Sequence, residues 1–261
     1  SVTKKIEVGL GVIVVPFREP VLLAKQVATL DVFSGGRVLF GVGIGTSREE
    51  FEVLRPREAK SNRGKMLDET LEVLNLLFNE PEASFSGRYY AFEKLSLYPK
   101  PVQKPLPLYI SGNVPATLDR VARYGTGLLV MGGPIEAFRT RVNDLHTALE
   151  KVERDVSEID VTVSFAVSLD SSRERAVERF RNSQVGHRFT SWTSDPEVIE
   201  RMIRGNLVGT PEEVAEKVRE RAEVGMSHCA PQHIAAESIE EMMEQMHIYA
   251  EEVMPLCEDL R

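Results

Sequence analysis

The chain is poor in cysteine. Its two residues, Cys229 and Cys257, exclude a disulfide framework and a four-ligand zinc site, and they fit a reducing compartment. No pair of histidines has a helical metal spacing such as H-x-x-x-H, so no metal site is expected. Long apolar runs are missing too: none approaches the ~18 residues of a membrane span. The opening Ser1-Val2-Thr3-Lys4-Lys5 is too short and polar to read as a signal peptide. Positive charge is in deficit, 32 Lys and Arg against 40 Asp and Glu, a net charge of −8 with no basic tail. That argues against nucleic acid and anionic membranes as partners. A cytoplasmic protein acting on a small molecule is expected.

What is present is an alternation of strand and helix. Ile6 to Val15 is a Gly- and Val-rich run suited to a strand buried on both faces. After Pro16, a helix near Pro20 sets Val21, Ala24, Ala28 and Val32 on one face and stops at Ser34-Gly35-Gly36. Arg37 to Val42 is the second strand. Arg63 to Phe78 is an amphipathic helix, with Leu67, Leu71, Leu74 and Phe78 at helical spacing. Phe85 to Phe92 reads as a hairpin within an insertion at about 82–98, and four prolines between Pro99 and Pro107 lead into a third buried strand. Six barrel-type strands are expected, near 8–15, 37–43, 107–111, 127–131, 159–169 and 228–234. Such alternation argues for a parallel α/β sheet. Residues 172–204 read as mostly helical with a break at Ser191–Asp195, and 170–204 is a candidate lid. Thr210-Pro211-Glu212-Glu213 carries the cap, the first-position proline and the box glutamate of a helix start.

Two glycine-rich strand ends are candidate binding elements. Gly41, Gly43 and Gly45 are spaced G-x-G-x-G, which is not a dinucleotide fingerprint, and the position about 20 residues on falls inside a helix. They either pack one strand closely on another or leave bare backbone for a flat ring. Ser111-Gly112-Asn113-Val114-Pro115-Ala116-Thr117 ends a strand and opens a helix at Pro115. It is either an ordinary turn or a phosphate cradle of helix-start N–H groups. Among the histidines, His146 and His247 read as surface or interhelical, His187 as a candidate lid residue, and His228 as flanking the last strand. His233, near that strand's end, is a candidate substrate contact. Met242, Met243 and Met246 read as a core stripe, Arg63 as solvated, and Trp192 as a candidate lid residue.

In order and spacing, these segments resemble the bacterial luciferase-like monooxygenase family of flavin- and coenzyme-F420-dependent oxidoreductases. The matching stretches are Val8 to Pro16, Pro20 to Lys25, Leu30-Asp31, Ser34 to Arg37 and Phe40 to Gly43. They continue through the hairpin, Tyr98 to Gln103, Tyr109 to Asn113 with Gly125 to Gly127, and Tyr249 to Pro255. The resemblance implies a (β/α)8 TIM-barrel type of fold with the cofactor at the strand C-termini. It implies a non-proline cis bond at Gly11–Val12, where Gly11 and Val12 back the cofactor ring. It places Ile44 and Gly45 along the cofactor, and Gly112, Asn113, Val114, Ala116 and Thr117 at its phosphate. The position that some F420 enzymes use as an acid holds Thr46, so no catalytic residue is assigned.

Family members run two further βα units ahead of the strand at Ile6. The expectation is therefore a single domain, 1–261, built as a barrel lacking its first two βα units: a fragment, a barrel completed by a partner, or one left open. Coenzyme F420 is the expected cofactor, serving hydride transfer to or from a small organic substrate. The alternative is FMN in a two-component monooxygenase with a flavin reductase as partner. A third reading is a non-catalytic flavin-binding or interaction protein with an incomplete barrel. A homodimer is expected.

Overall fold

The computed structural model describes residues 2–191 and 193–260. Trp192, and with it the lid role considered for it, lies outside the described residues. The chain divides into two compact units: residues up to Leu129 with Ala148–Ile159, and Val130–Thr147 with the residues from Asp160 onward. Among the described residues no helix is long and apolar enough to cross a membrane.

The first unit is a parallel sheet in the order β1 (Val8–Val14), β2 (Val38–Gly43), β5 (Leu108–Ser111) and β6 (Gly127–Met131). Its helices are α1 (Pro20–Ser34), α2 (Arg48–Leu54), α3 (Arg63–Asn79) and α4 (Pro115–Tyr124). The antiparallel hairpin β3 (Ala83–Ser86) and β4 (Ala91–Leu95) stands where the sequence places it. β1 and β2 pair in register from Val8↔Val38 to Leu10↔Phe40 and resume at Ile13↔Val42, so Gly11 and Val12 together face Gly41. This is a one-residue bulge, and the Gly11–Val12 peptide is cis. A Cβ on Gly41 would lie 2.0 Å from the Leu10 carbonyl oxygen, and one on Gly43 3.0 Å from Val12 Cγ2. Of the two readings of these glycines, close packing holds at both positions, because β1 itself fills the space a side chain would need.

α1 is turned relative to the expected face. Its buried positions are Pro20, Leu23, Ala24, Val27, Ala28 and Asp31, while Val21 and Val32 are only half-buried. The turn follows from Asp31, whose carboxylate accepts from the Val102 and Gln103 backbone N–H groups at 2.8 and 3.1 Å and from Gln103 Nε2 at 2.7 Å. Gln103 Nε2 also donates to the Val38 carbonyl. One buried acid thus ties the proline-rich segment to α1 and to the start of β2.

The second unit contains α5 (Ile135–Glu150), β7 (Asp160–Leu169), α6 (Arg173–Asn182), α7 (Gln184–Thr190) and α8 (Pro196–Arg204). β8 (Leu207–Gly209), α9 (Pro211–Val224), β9 (His228–Ile234) and α10 (Ile239–Ile248) follow. β7 pairs in parallel with both β8 and β9. β8 is a seventh parallel strand beyond the six expected: its three residues are too few to show a period between two helices. Residues 173–204 are three helices whose Phe180, Phe189, Ile199 and Ile203 pack with Ala166, Val208 and Ala235.

Asp31→Ala removes three hydrogen bonds to a buried carboxylate and leaves two backbone N–H groups without an acceptor. It is expected to destabilise the chain by about 3 kcal/mol in urea unfolding; a loss under about 1 kcal/mol would contradict this anchoring role.

Candidate functional site

In a parallel α/β sheet the strand C-termini are where loops gather and ligands bind. Ile13↔Val42 and Val42↔Ile110 are register partners, so β1, β2 and β5 end side by side. The loop Ile44–Ser47 leaves β2 at this edge and Gly112–Val114 leaves β5 beside it. The structure thus brings Gly11, Val12, Ile44, Gly45, Gly112, Asn113, Val114, Ala116 and Thr117 to three adjacent strands of one unit.

The start of α4 differs from those of the α-helices α1, α2 and α3. Glu19, Ser47 and Asn62 cap α1, α2 and α3 by accepting from backbone N–H groups. The N-cap of α4 is Val114, which has no side-chain acceptor, and no acidic residue stands in the first turn. Its positive end is therefore complemented neither by its N-cap side chain nor by an acid in its own first turn. Asn113, Val114 and Ala116 are exposed, whereas Thr117 is buried. A Cβ on Gly112 would sit 2.6 Å from Thr117 Oγ1, so the loop lies directly on the first turn.

The neighbouring loop is held by Arg63, which is not the solvated residue expected. Its Nη1 faces the carbonyls of Ile44, Gly45 and Ser47 at 3.4, 3.2 and 2.9 Å. The guanidinium lies 6.0 Å from the centre of the Phe51 ring. Phe51 in turn stacks on Phe17, just beyond β1, at 6.1 Å and 21°. Gly45 takes φ +76°, the left-handed conformation that favours glycine. A signal for Arg63 was present in the sequence: a cation at the first position of a helix opposes the dipole and calls for another partner. Thr46 is exposed and offers only a hydroxyl.

His233 belongs to the second unit, on β9. It is half-buried and meets the Phe189 ring edge-on at 5.5 Å. Burial, and then the nearby Arg188, push its pKa below the ordinary value, so the ring is neutral at pH 7. A cavity of about 660 Å³ in this unit is lined by Cys229, Ile234, Met246, Tyr249, Val253 and Met254, among others. Burial raises the Cys229 thiol to about 11, and its Sγ lies 3.4 Å from the Tyr249 hydroxyl. Met242, Met243 and Met246 are 37, 46 and 48% exposed rather than core. The buried position of α10 is instead Gln245, whose amide accepts from Leu169 N–H and donates to its carbonyl, leaving the methionines on the flanks.

Parallel strands joined by helices, with loops gathered at their C-terminal ends, define a parallel α/β scaffold. The chain belongs to the luciferase-like monooxygenase family, whose family model matches residues 1–228. It is 29% identical over 183 residues to an F420-dependent glucose-6-phosphate dehydrogenase of Amycolatopsis mediterranei, covering 69% of this chain and 55% of that one. It is 24% identical, across an alignment 288 positions long, to an FMNH2-dependent dimethylsulfone monooxygenase of Pseudomonas putida, covering 100% of this chain and 76% of that one. A monooxygenase crystal structure from Streptomyces bottropensis superposes with a TM-score of 0.81 at 22% identity, over 97% of this chain and 79% of that one, a likeness of fold.

Two outcomes follow from this geometry. Arg63→Ala should speed amide hydrogen exchange in residues 44–48 about tenfold while leaving the β2 amides protected; unchanged exchange there would remove Arg63 as the loop's anchor. Cys229, lifted from 9.0 to about 11, should be alkylated by iodoacetamide at pH 8 at least about a hundredfold more slowly in the folded than in the unfolded chain. Comparable rates would show that the thiol is not held in its neutral, buried form.

Proposed function

We propose that this chain is an oxidoreductase that holds coenzyme F420 at the C-terminal ends of β1, β2 and β5 and serves hydride transfer to or from a small organic substrate. The observation that carries the reading is the start of α4, a helix N-terminus with an apolar N-cap and no acid in its first turn. Its exposed Asn113, Val114 and Ala116, with Gly112 and Thr117, suit the anionic tail of such a cofactor. Gly11, Val12, Ile44 and Gly45 would flank the ring. When bound, F420 supplies or accepts the hydride. The chain's own residues position it: Arg63 keeps the Ile44–Ser47 loop in one place, and the opening turn of α4 compensates negative charge. Among relatives, the name of the Amycolatopsis enzyme supports F420. FMN is the second reading, favoured by the Pseudomonas monooxygenase that aligns with the whole chain.

Val114→Asp separates the phosphate role of α4 from a purely structural one. An acidic N-cap should stabilise the chain by about 1 kcal/mol in urea unfolding. The same carboxylate occupies the N–H groups and repels a phosphate, so F420 affinity should fall about tenfold or more. Affinity is read from quenching of the cofactor's own fluorescence, with FMN titrated in parallel. Unchanged F420 affinity in the variant would remove α4 from the site. Tighter binding of FMN than of F420 by the unaltered chain would replace the first reading by the second, and binding of neither would end both.

A further inference from the structure

Against a net charge of −8 for the chain, one cavity in the second unit collects positive charge. It measures about 480 Å³ and is lined by Arg173, Arg201, Arg204, Lys217 and Arg221, together with Glu220. Its walls come from the beginnings of α5 and α6, the end of α8 and the face of α9.

Structural duties account for three of these cations. Arg221 is buried; it donates to the carbonyls of Lys217, Gly133 and Gly205 at 3.0, 3.0 and 3.1 Å and lies 5.2 Å over the Phe165 ring. Lys217 Nζ donates to the carbonyls of Asn206 and Val208, both at 2.9 Å. These acceptors are neutral, so they satisfy hydrogen bonds without cancelling charge. Arg173 pairs with Glu213 at 3.5 Å and Glu200 at 3.9 Å. Burial, then repulsion from Arg173 and Arg221, lowers the Lys217 pKa to about 8. The cations therefore stand close enough to destabilise one another.

Arg201 and Arg204 are different. Both are exposed on the last turn of α8, and among the described residues neither guanidinium has a hydrogen-bond or ion-pair partner. Complementing the C-terminal end of α8 explains a cation on that turn. It does not explain why the facing walls are cationic as well. Glu197 and Glu200 line an adjoining cavity with Arg201 and Arg204, and Glu200 also pairs with Arg181; with Glu197, Glu200, Glu213 and Glu220 set against Arg181 and the five cations of the cavity, two positive charges are left over.

We infer that this cavity is a binding site for a small molecule carrying a doubly charged phosphate group, gripped by Arg201 and Arg204 with Arg173 and Lys217 facing it. Two guanidinium forks suit the tetrahedral oxygens of a phosphate. The volume exceeds a bare ion and lies within the range of small-molecule pockets, which leaves room for an ester's organic part. The inference concerns the second unit alone and stands independently of the cofactor reading.

The test is calorimetric titration of the full chain with inorganic phosphate and with glycerol 3-phosphate, at fixed ionic strength in chloride. The unaltered chain should show saturable binding. Arg201→Gln/Arg204→Gln should weaken it about tenfold or more while keeping the melting temperature measured in chloride alone. Val114→Asp, which alters only the start of α4, should leave this binding in place. Mass spectrometry gives a local readout: phosphate should protect Lys217 from acetylation by acetic anhydride at pH 8 in the unaltered chain and not in the double variant. Stronger binding of glycerol 3-phosphate assigns the site to phosphate esters, and stronger binding of inorganic phosphate assigns it to the free ion. Equal affinity in the unaltered chain and the double variant, no saturable binding of either ligand, or loss of binding in Val114→Asp alone would overturn the inference.

Discussion

The closeness of β1 to β2 opposite the bulge sets the geometry of the edge where the first unit's strands end. At Gly41 a Cβ would stand 2.0 Å from the Leu10 carbonyl oxygen, a distance that no rotamer relieves because both partners are backbone. The bulge takes up one extra residue and the ladder then resumes at Ile13↔Val42. Val14 and Gly43 consequently end beside each other, one strand away from Ser111. If a side chain at position 41 pushed the strands apart, the loops after β2 and β5 would still exist but would no longer share an edge. The glycines are thus a requirement of the scaffold first, and of any ligand only through it.

On that edge the two loops are stabilised in different ways. Ile44–Ser47 is held from behind by Arg63, whose guanidinium is backed by Phe51 and, through Phe51, by Phe17 after β1. One side chain therefore links the β1 end, the β2 loop and α3. The loop after β5 is fixed at Gly112 against Thr117, while the helix it opens has no side chain to cap it. A rigid wall next to a helix start with an apolar N-cap and no acid in its first turn is a preorganised arrangement: a ligand there need not order the protein that receives it.

The sequence made the larger elements legible, and what escaped has identifiable physics. Long apolar strands such as β7 and the strongly periodic α3 are visible because each residue's burial repeats a rule. β8 is three residues long, so it has no period to detect. The buried face of α1 depends on Asp31, an acid that apolar patterning counts as outward-facing, and its partners Val102 and Gln103 lie some 70 positions away. Gln245 misleads in the same manner on α10: a polar anchor takes the inner position and the methionines move aside. Within the site, the loop residues were readable from glycine and proline punctuation. For Arg63 the sequence signals only that a cation at the first helical position needs a partner; which partner is not legible, because the acceptors are carbonyls, which no residue type announces.

The choice between F420 and FMN lies beyond sequence pattern for a related reason. Both present a flat ring and a phosphate, and a helix terminus with backbone N–H groups recognises charge and distance rather than ring chemistry. The second unit offers positive charge by the opposite device, guanidinium and ammonium groups crowded until they weaken one another. Net charge records neither arrangement. At −8 the chain as a whole repels anions at long range, but within a Debye length of about 8 Å the local groups decide the sign of the potential. An acidic protein can therefore keep polyanions off most of its surface and still hold small phosphorylated molecules, provided the donors are placed by the fold. In this chain the proposed donors would be the opening turn of α4 in one unit and the cations of α8 and α9 in the other.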